Sequence, residues 1–283
     1  MFDAQIGPAA GRPPSLSAHA PAADGADVPF RGGGFEPKPR PWIGWAAFAL
    51  ILALWQVASG AGWVSPLVLP SPLRVASAFV ALVADPDFGG HARSSLFRVL
   101  SGWLLGTALG LAVGCAMGVF SLARAAALPL ISSLYPVPMI AILPLFIVWL
   151  GIGESSKVAV ILLGVFSPTV ISTFSAVDDV PRGLIRMGQS FNLSWRAIIG
   201  KIILPGALPG ILAGFRITAA ISLILLVSAE MIGAEHGIGS VILLAGNLMQ
   251  TDKLIAGVMM LSATGLAVAW LLGRLEKRLL RWR

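Results

Sequence analysis

The chain has 283 residues, 57% of them hydrophobic and 12% charged, and carries a net charge of +7. Its mean hydropathy is +0.86. Soluble domains hold about 25% charged residues, so a soluble globule would have too few charges to cover this apolar surface. The composition excludes a cytosolic enzyme, a nucleic-acid binder and a disulfide-built secreted domain, since Cys115 has no second cysteine to pair with. What remains is an all-α polytopic membrane protein.

Residues 1–41 stand apart. They contain eight prolines, the run Gly32-Gly33-Gly34, and charges that cancel: Arg12, Arg31, Lys38 and Arg40 against Asp3, Asp24, Asp27 and Glu36. No block resembles the apolar core of a signal peptide, so cleavage is not expected. Such a segment buries too little surface to offset its ordering entropy and reads as a disordered cytoplasmic tail.

Residues 42–283 form the membrane domain. A helix needs about 20 apolar residues to cross the hydrocarbon, and the charge-poor stretches predict six transmembrane helices near 43–60, 99–120, 128–150, 157–176, 207–232 and 254–273. Between the first two, Ser71-Pro72 reads as an N-cap and first helical position, and Asp85-Pro86 as a stop. This predicts a short surface helix, with a plain structured loop as the alternative. Orientation follows from the basic residues. With the N-terminus inside, fourteen Lys and Arg face the cytoplasm. Five face outward: Arg74, Arg93, Arg98, Lys157 and Lys253. Both termini are then cytoplasmic.

Features inside the spans carry paired readings. Gly102, Gly106, Gly110, Gly114 and Gly118 form a small-residue ridge suited to close helix packing. Pro136, Pro138 and Pro144 interrupt the third span, either shaping a pathway or fixing a bend for packing. Arg216 lies roughly 13 Å into the fifth span, either touching an anion, or snorkelling inward or tying two helices together. Glu230, near the outer end of that span, either lines a gate or meets Lys253 or a helix N-terminus. Trp42, Trp45, Trp63 and Trp282 read as interface anchors. His19, His91 and His236 are too scattered for a metal site, and no metal or cofactor is expected.

The loop from Asp178 to Leu204 is the most informative. Asp179-Val180-Pro181 marks a helix start, after which Leu184, Met187, Gly188 and Phe191 fall on one stripe. Asn192 ends that helix in a left-handed conformation, and Ser194 caps a second from Trp195. A short amphipathic helix on the basic side either docks a soluble partner or packs under the bundle.

Several blocks then share a resemblance. Asn192, nine residues, and Ile202-x-Leu204-Pro205 resemble the cytoplasmic loop of binding-protein-dependent ABC importer permeases, which reads E-A-A, three residues, G, nine residues, I-x-L-P. Leu204-Pro-Gly-Ala-Leu-Pro-Gly-Ile-Leu-Ala-Gly-Phe-Arg216 is similar to the nitrate/sulfonate/taurine subfamily. So are Leu69-Pro-Ser-Pro72, Ser95-Leu-Phe-Arg98, Tyr135-Pro-Val-Pro138 with Ile142-Leu-Pro-Leu145, and Trp149-Leu-Gly-Ile-Gly-Glu-Ser-Ser-Lys157. Leu275-Glu-Lys-Arg-Leu-Leu-Arg-Trp282 fits as well. The resemblance covers about residues 64 to 283, with the permease core at about 92–275. Departures are Arg186-Met187-Gly188 at the E-A-A positions and Asn192 at the loop glycine.

The resemblance implies a type I ABC importer permease fold with a coupling helix between transmembrane helices 4 and 5. Arg182, Leu184, Arg186, Met187, Gly188, Phe191, Asn192 and Trp195 would meet an ATP-binding subunit. It implies two copies of that subunit, a periplasmic or extracellular solute-binding protein, a second permease copy as a homodimer, and surrounding lipid of a bacterial inner membrane. No nucleic acid is involved. Pathway candidates are Arg216, Glu230, Pro138 and Pro144. The cargo would be a small anion such as a sulfonate, taurine or nitrate, with bicarbonate or a vitamin or pyrimidine precursor as alternatives. The chain itself is not an enzyme: its one Gly-Lys pair, Gly200-Lys201, is followed by Ile202, so the phosphate-binding loop is absent. The rival class is an ion-coupled secondary carrier.

Overall fold

A computed structural model describes residues 41–281. Among the described residues the chain divides into two units between Ile51 and Leu52. All regular structure among the described residues is helical. In chain order it comprises α1 (Pro41–Gly60), α2 (Pro72–Val83), α3 (Phe88–Val119), α4 (Ser121–Leu134), α5 (Met139–Leu150) and α6 (Glu154–Asp178), followed by α7 (Arg182–Ser190), α8 (Trp195–Ile198), a π-helical turn (Ile199–Ile203), α9 (Leu204–Gly233), α10 (Ile238–Asn247) and α11 (Thr251–Leu279). The first forty residues, where the sequence predicts a disordered tail, and Trp282 lie outside the described residues.

Five helices among the described residues are long and apolar enough to cross a membrane, and a sixth span arises if α4 and α5 are taken together. Those two helices meet at 97°, so the single span expected over 128–150 is instead a sharply bent pair. The cause is local. Pro136 and Pro138 offer no N–H to the helical ladder, and Pro138 itself is extended at ψ 99° where α5 begins. Pro144 lies within α5, away from the break. Gly151 then ends α5 at φ +83°, a conformation that favours glycine.

The expected surface helix forms as α2. Ser71 caps it, its Oγ accepting from the Arg74 N–H, and Pro72 opens it. Its buried face is Val75 and Ala78, packed with Ala256 of α11. Trp55 donates through Nε1 to the Pro70 carbonyl at 3.0 Å, pinning the α1–α2 connector.

The helical core is α3 against α6, with α9 packed on α6 and also touching α3. The glycine ridge sets that distance. A Cβ on Gly102 would lie 2.6 Å from Ile161 Cβ, and one on Gly110 2.6 Å from Thr169 Cβ. Gly114 meets Thr173 and Gly118 meets Val177 in the same way. Without a hydrophobic force between helices in lipid, this close approach is what gains packing energy. Two apolar clusters fill the ends of the core. One joins Val99, Leu143, Val165 and Leu226; the other joins Val177, Val180, Ile198 and Ile211 beneath α7.

Candidate functional site

The amphipathic helix expected from the sequence is α7, fixed between α6 and α9. Val180 is buried, anchoring the short link from α6. The helix closes in a Schellman motif: Leu193 N–H donates to Gly188 O at 3.1 Å and Asn192 N–H to Gln189 O at 2.9 Å. Asn192 sits at φ +54°, the left-handed position that its side chain tolerates. Ser194 then caps α8, accepting from the Ala197 N–H. The π-helical turn carries the chain from α8 into α9, where Pro205 occupies the first turn.

The stripe expected from the spacing divides. Gly188 is buried, and a Cβ there would strike Ile202 Cδ1 at 2.7 Å, so this residue must stay small. Leu184, Met187 and Phe191 are exposed, Phe191 at 74%. Trp195 is also exposed, its ring edge-on to Phe120 at 6.3 Å. Arg182 and Arg186 are exposed and make no ion pair with a described residue. Nearby, Arg124 pairs with Asp178 at 2.5 Å and lies over the Phe174 ring, tying α4 to the end of α6. The result is a rigidly held helix with large apolar side chains and free guanidinium groups on its outside.

At the opposite end of the helices lies a buried ion network. On α3, His91, Ser95 and Arg98 share one face at i, i+4 and i+7. The Arg98 side chain is 3% exposed. Its Nη1 donates to Glu230 Oε1 at 2.8 Å and to the His236 carbonyl at 2.6 Å. Its Nε and Nη2 grip both oxygens of Glu154 at 2.6 and 2.5 Å. Ser95 Oγ donates to Glu230 Oε1 at 2.6 Å while accepting from the Ile238 N–H. Glu230 Oε2 accepts from the Gly239 N–H at 2.8 Å, so the carboxylate caps α10. His91 Nδ1 accepts from the Gly237 N–H at 2.9 Å. Gly237 has φ +150°, and a Cβ there would fall 2.5 Å from the Glu230 carboxyl carbon. The network thus binds α3, α6, α9 and α10 at one point.

Residues 106–281 match the family of the binding-protein-dependent transport system inner membrane component. The chain belongs to this family. It is a membrane permease subunit of an ABC importer, and ATP hydrolysis lies in a separate subunit. The family also implies a solute-binding protein. A Bacillus subtilis (strain 168) protein named as an aliphatic sulfonates transport permease, SsuC, is 37% identical over 235 residues, covering 83% of this chain and 85% of that one. The taurine transport system permease protein TauC of Escherichia coli (strain K12) is 34% identical over 239 residues, covering 83% and 87%. An inward-facing MetNI methionine ABC transporter structure aligns with a TM-score of 0.59 at 20% identity, covering 69% of this chain and 99% of the matched one. The fold is therefore that of type I importer permeases, and family membership decides against an ion-coupled carrier.

The remaining sequence candidates fall into distinct places on the permease. Arg216 pairs with Glu276 at 2.5 Å, tying α9 to α11, while 52% of its side chain stays exposed. Glu230 finds the helix N-terminus that was one of its expected partners, but not Lys253. Lys253 instead lines a cavity of about 270 Å³ with Asp85, Asp87, His91 and Gln250. Pro138 and Pro144 sit on the bent pair and on neither charged site. Arg98 and Lys157, two of the five basic residues counted on the outer side, are buried: Arg98 meets two carboxylates, and Lys157 Nζ donates to the Gly153 carbonyl at 2.9 Å. For that reason α3 begins at Phe88, eleven residues before the span expected from its first charge-free position. The pairing of His91 with His236, whose ring centroids are 5.4 Å apart, was also invisible. They stand 145 positions apart in the chain, although the spacing of His91, Ser95 and Arg98 on one face was a usable signal.

Proposed function

We propose that two copies of this permease line a pathway for a small sulfonate-type anion, such as an alkanesulfonate or taurine. Each copy docks α7 into one copy of an ATP-binding subunit. The carrying observation is the exposed ridge of Leu184, Met187 and Phe191 on a helix locked by the Gly188 contact and the Schellman turn. Apolar side chains this large, held outside the core on a rigid element, are the anchors that an interface needs. Because α7 continues into α9 through α8 and the π-helical turn, a shift imposed on α7 reaches the bundle as a rigid-body motion.

The distribution of basic residues supports a cytoplasmic α7 end and an outer Arg98–Glu230 network. Arg216 keeps half its side chain open while tethered to Glu276, which leaves a guanidinium edge for an anion. Glu230 has no accessible side-chain surface, so its part is to hold the outer turn rather than to touch cargo. Pro138 at the α4–α5 bend and Pro144 within α5 contribute by shaping the wall of the pathway. The sulfonate class rests on the two bacterial relatives.

The test is association. Met187→Asp combined with Phe191→Asp puts two charges on the ridge without touching the bundle. The proposal expects the variant to insert in the membrane and to lose co-purification with the ATP-binding subunit. Unchanged co-purification would overturn it.

A further inference from the structure

We infer that the cleft receiving α7 has two unlike walls, one apolar and one acidic, so that charge selects the ATP-binding subunit and fixes how the helix lies in it. This rests on the docking reading above and goes beyond it. At about 100° per residue, the outside of α7 is not uniform. Leu184, Met187 and Phe191 fall within one narrow arc. Arg182 and Arg186 fall within another, on the opposite flank, with Gly183 and Ser190 between them. The fourth side, Ile185 and Gly188, faces inward.

Neither α7 nor α8 contains an acidic residue. Of the two carboxylates just upstream, Asp178 is taken by Arg124, and Asp179, three residues before Arg182, makes no ion pair with it. Arg182 and Arg186 have no ion-pair partner among the described residues, and Arg196 adds a third positive charge stacked at 5.3 Å over the Trp195 ring. A helix whose basic flank is unpaired and whose apolar flank is unpacked is complementary to a surface with acid on one side only. Guanidinium groups favour carboxylates because they can form two parallel bonds at once.

A lipid surface is the weaker occupant. A basic amphipathic helix lying on a membrane turns its apolar face toward the acyl chains. Here the side turned toward the spans is Gly188, already covered by Ile202, Ile198 and Leu193. The apolar ridge lies elsewhere on the helix.

The experiment measures the affinity of the full-length permease, in nanodiscs, for its ATP-binding subunit. Nanodiscs of phosphatidylcholine alone are compared with nanodiscs containing phosphatidylglycerol. The variant Arg182→Glu with Arg186→Glu is compared with Met187→Asp and with wild type. We expect the double reversal to weaken binding at least about tenfold in both lipids. Wild-type binding should weaken as NaCl rises from about 50 to about 500 mM, and the reversed variant should lose that dependence. If Met187→Asp abolishes binding while the reversal leaves it unchanged, docking stands and the acidic wall is overturned. Unchanged binding in both variants overturns docking itself. A loss confined to phosphatidylglycerol discs assigns the arginines to lipid and overturns the inference.

Discussion

Replacing Glu230 with Ala tests the outer network most severely. The side chain has no accessible surface and satisfies three donors: Ser95 Oγ, Arg98 Nη1 and the Gly239 N–H. Removing it leaves Arg98 buried with Glu154 as its one carboxylate, and uncaps α10. Breaking a buried ion pair from one side costs about 3–5 kcal/mol. In a chain of this size each kcal/mol lowers the melting temperature by about 2–4 °C, so a fall of about 6–20 °C is expected. The assay is thermal unfolding of the purified permease in detergent, followed by tryptophan fluorescence. Arg216→Ala is the internal comparison, because its pair with Glu276 is half exposed and such pairs contribute about 1 kcal/mol or less. Arg98→Ala with Glu230→Ala should cost less than the sum of the two single changes, since neither charge is left stranded. A Glu230→Ala protein melting within about 2 °C of wild type, or no lower than Arg216→Ala, would refute the reasoning.

Three further outcomes follow from packing, backbone and charge. Gly110→Leu should destabilise by about 1–3 kcal/mol or more, because even a Cβ lies 2.6 Å from Thr169 Cβ and 2.9 Å from Phe166 O; Gly110→Ala should cost less, as thermal unfolding would show. Asn192→Gly should preserve association with the ATP-binding subunit, whereas Asn192→Val forces a β-branched residue to φ +54° at about 1–2 kcal/mol and should weaken it. Arg216→Ala should slow anion uptake into proteoliposomes without loss of assembly, and an unchanged rate would remove Arg216 from the pathway.

Local signals in this sequence translated well into structure. Ser71, Asn192 and Ser194 were legible because caps and left-handed turns depend on a few adjacent residues. The glycine ridge was legible because its period is that of the helix, and it packs closely, against α6. The outer network was not legible, since its contacts with α3 join residues 56 to 146 positions apart and hydropathy counts Arg98 and Lys157 only as charges. Once buried and neutralised, such residues no longer mark the end of a helix. The bend between α4 and α5 was half legible: the prolines located it, but an apolar run alone does not say whether a span continues through or folds back. The exposure of the α7 ridge needed coordinates, because periodicity assigns a face without saying which side meets the bundle.

The central claim is that this permease imports a small anion at the expense of ATP hydrolysed by a partner. It is tested most directly by reconstituting the permease in liposomes with its ATP-binding subunit and solute-binding protein, and measuring ATP hydrolysis over a panel of sulfonates and other small anions. The account predicts stimulation by binding protein loaded with a sulfonate, and loss of that stimulation with Met187→Asp. Anion uptake that persists without ATP and ignores the binding protein would contradict it.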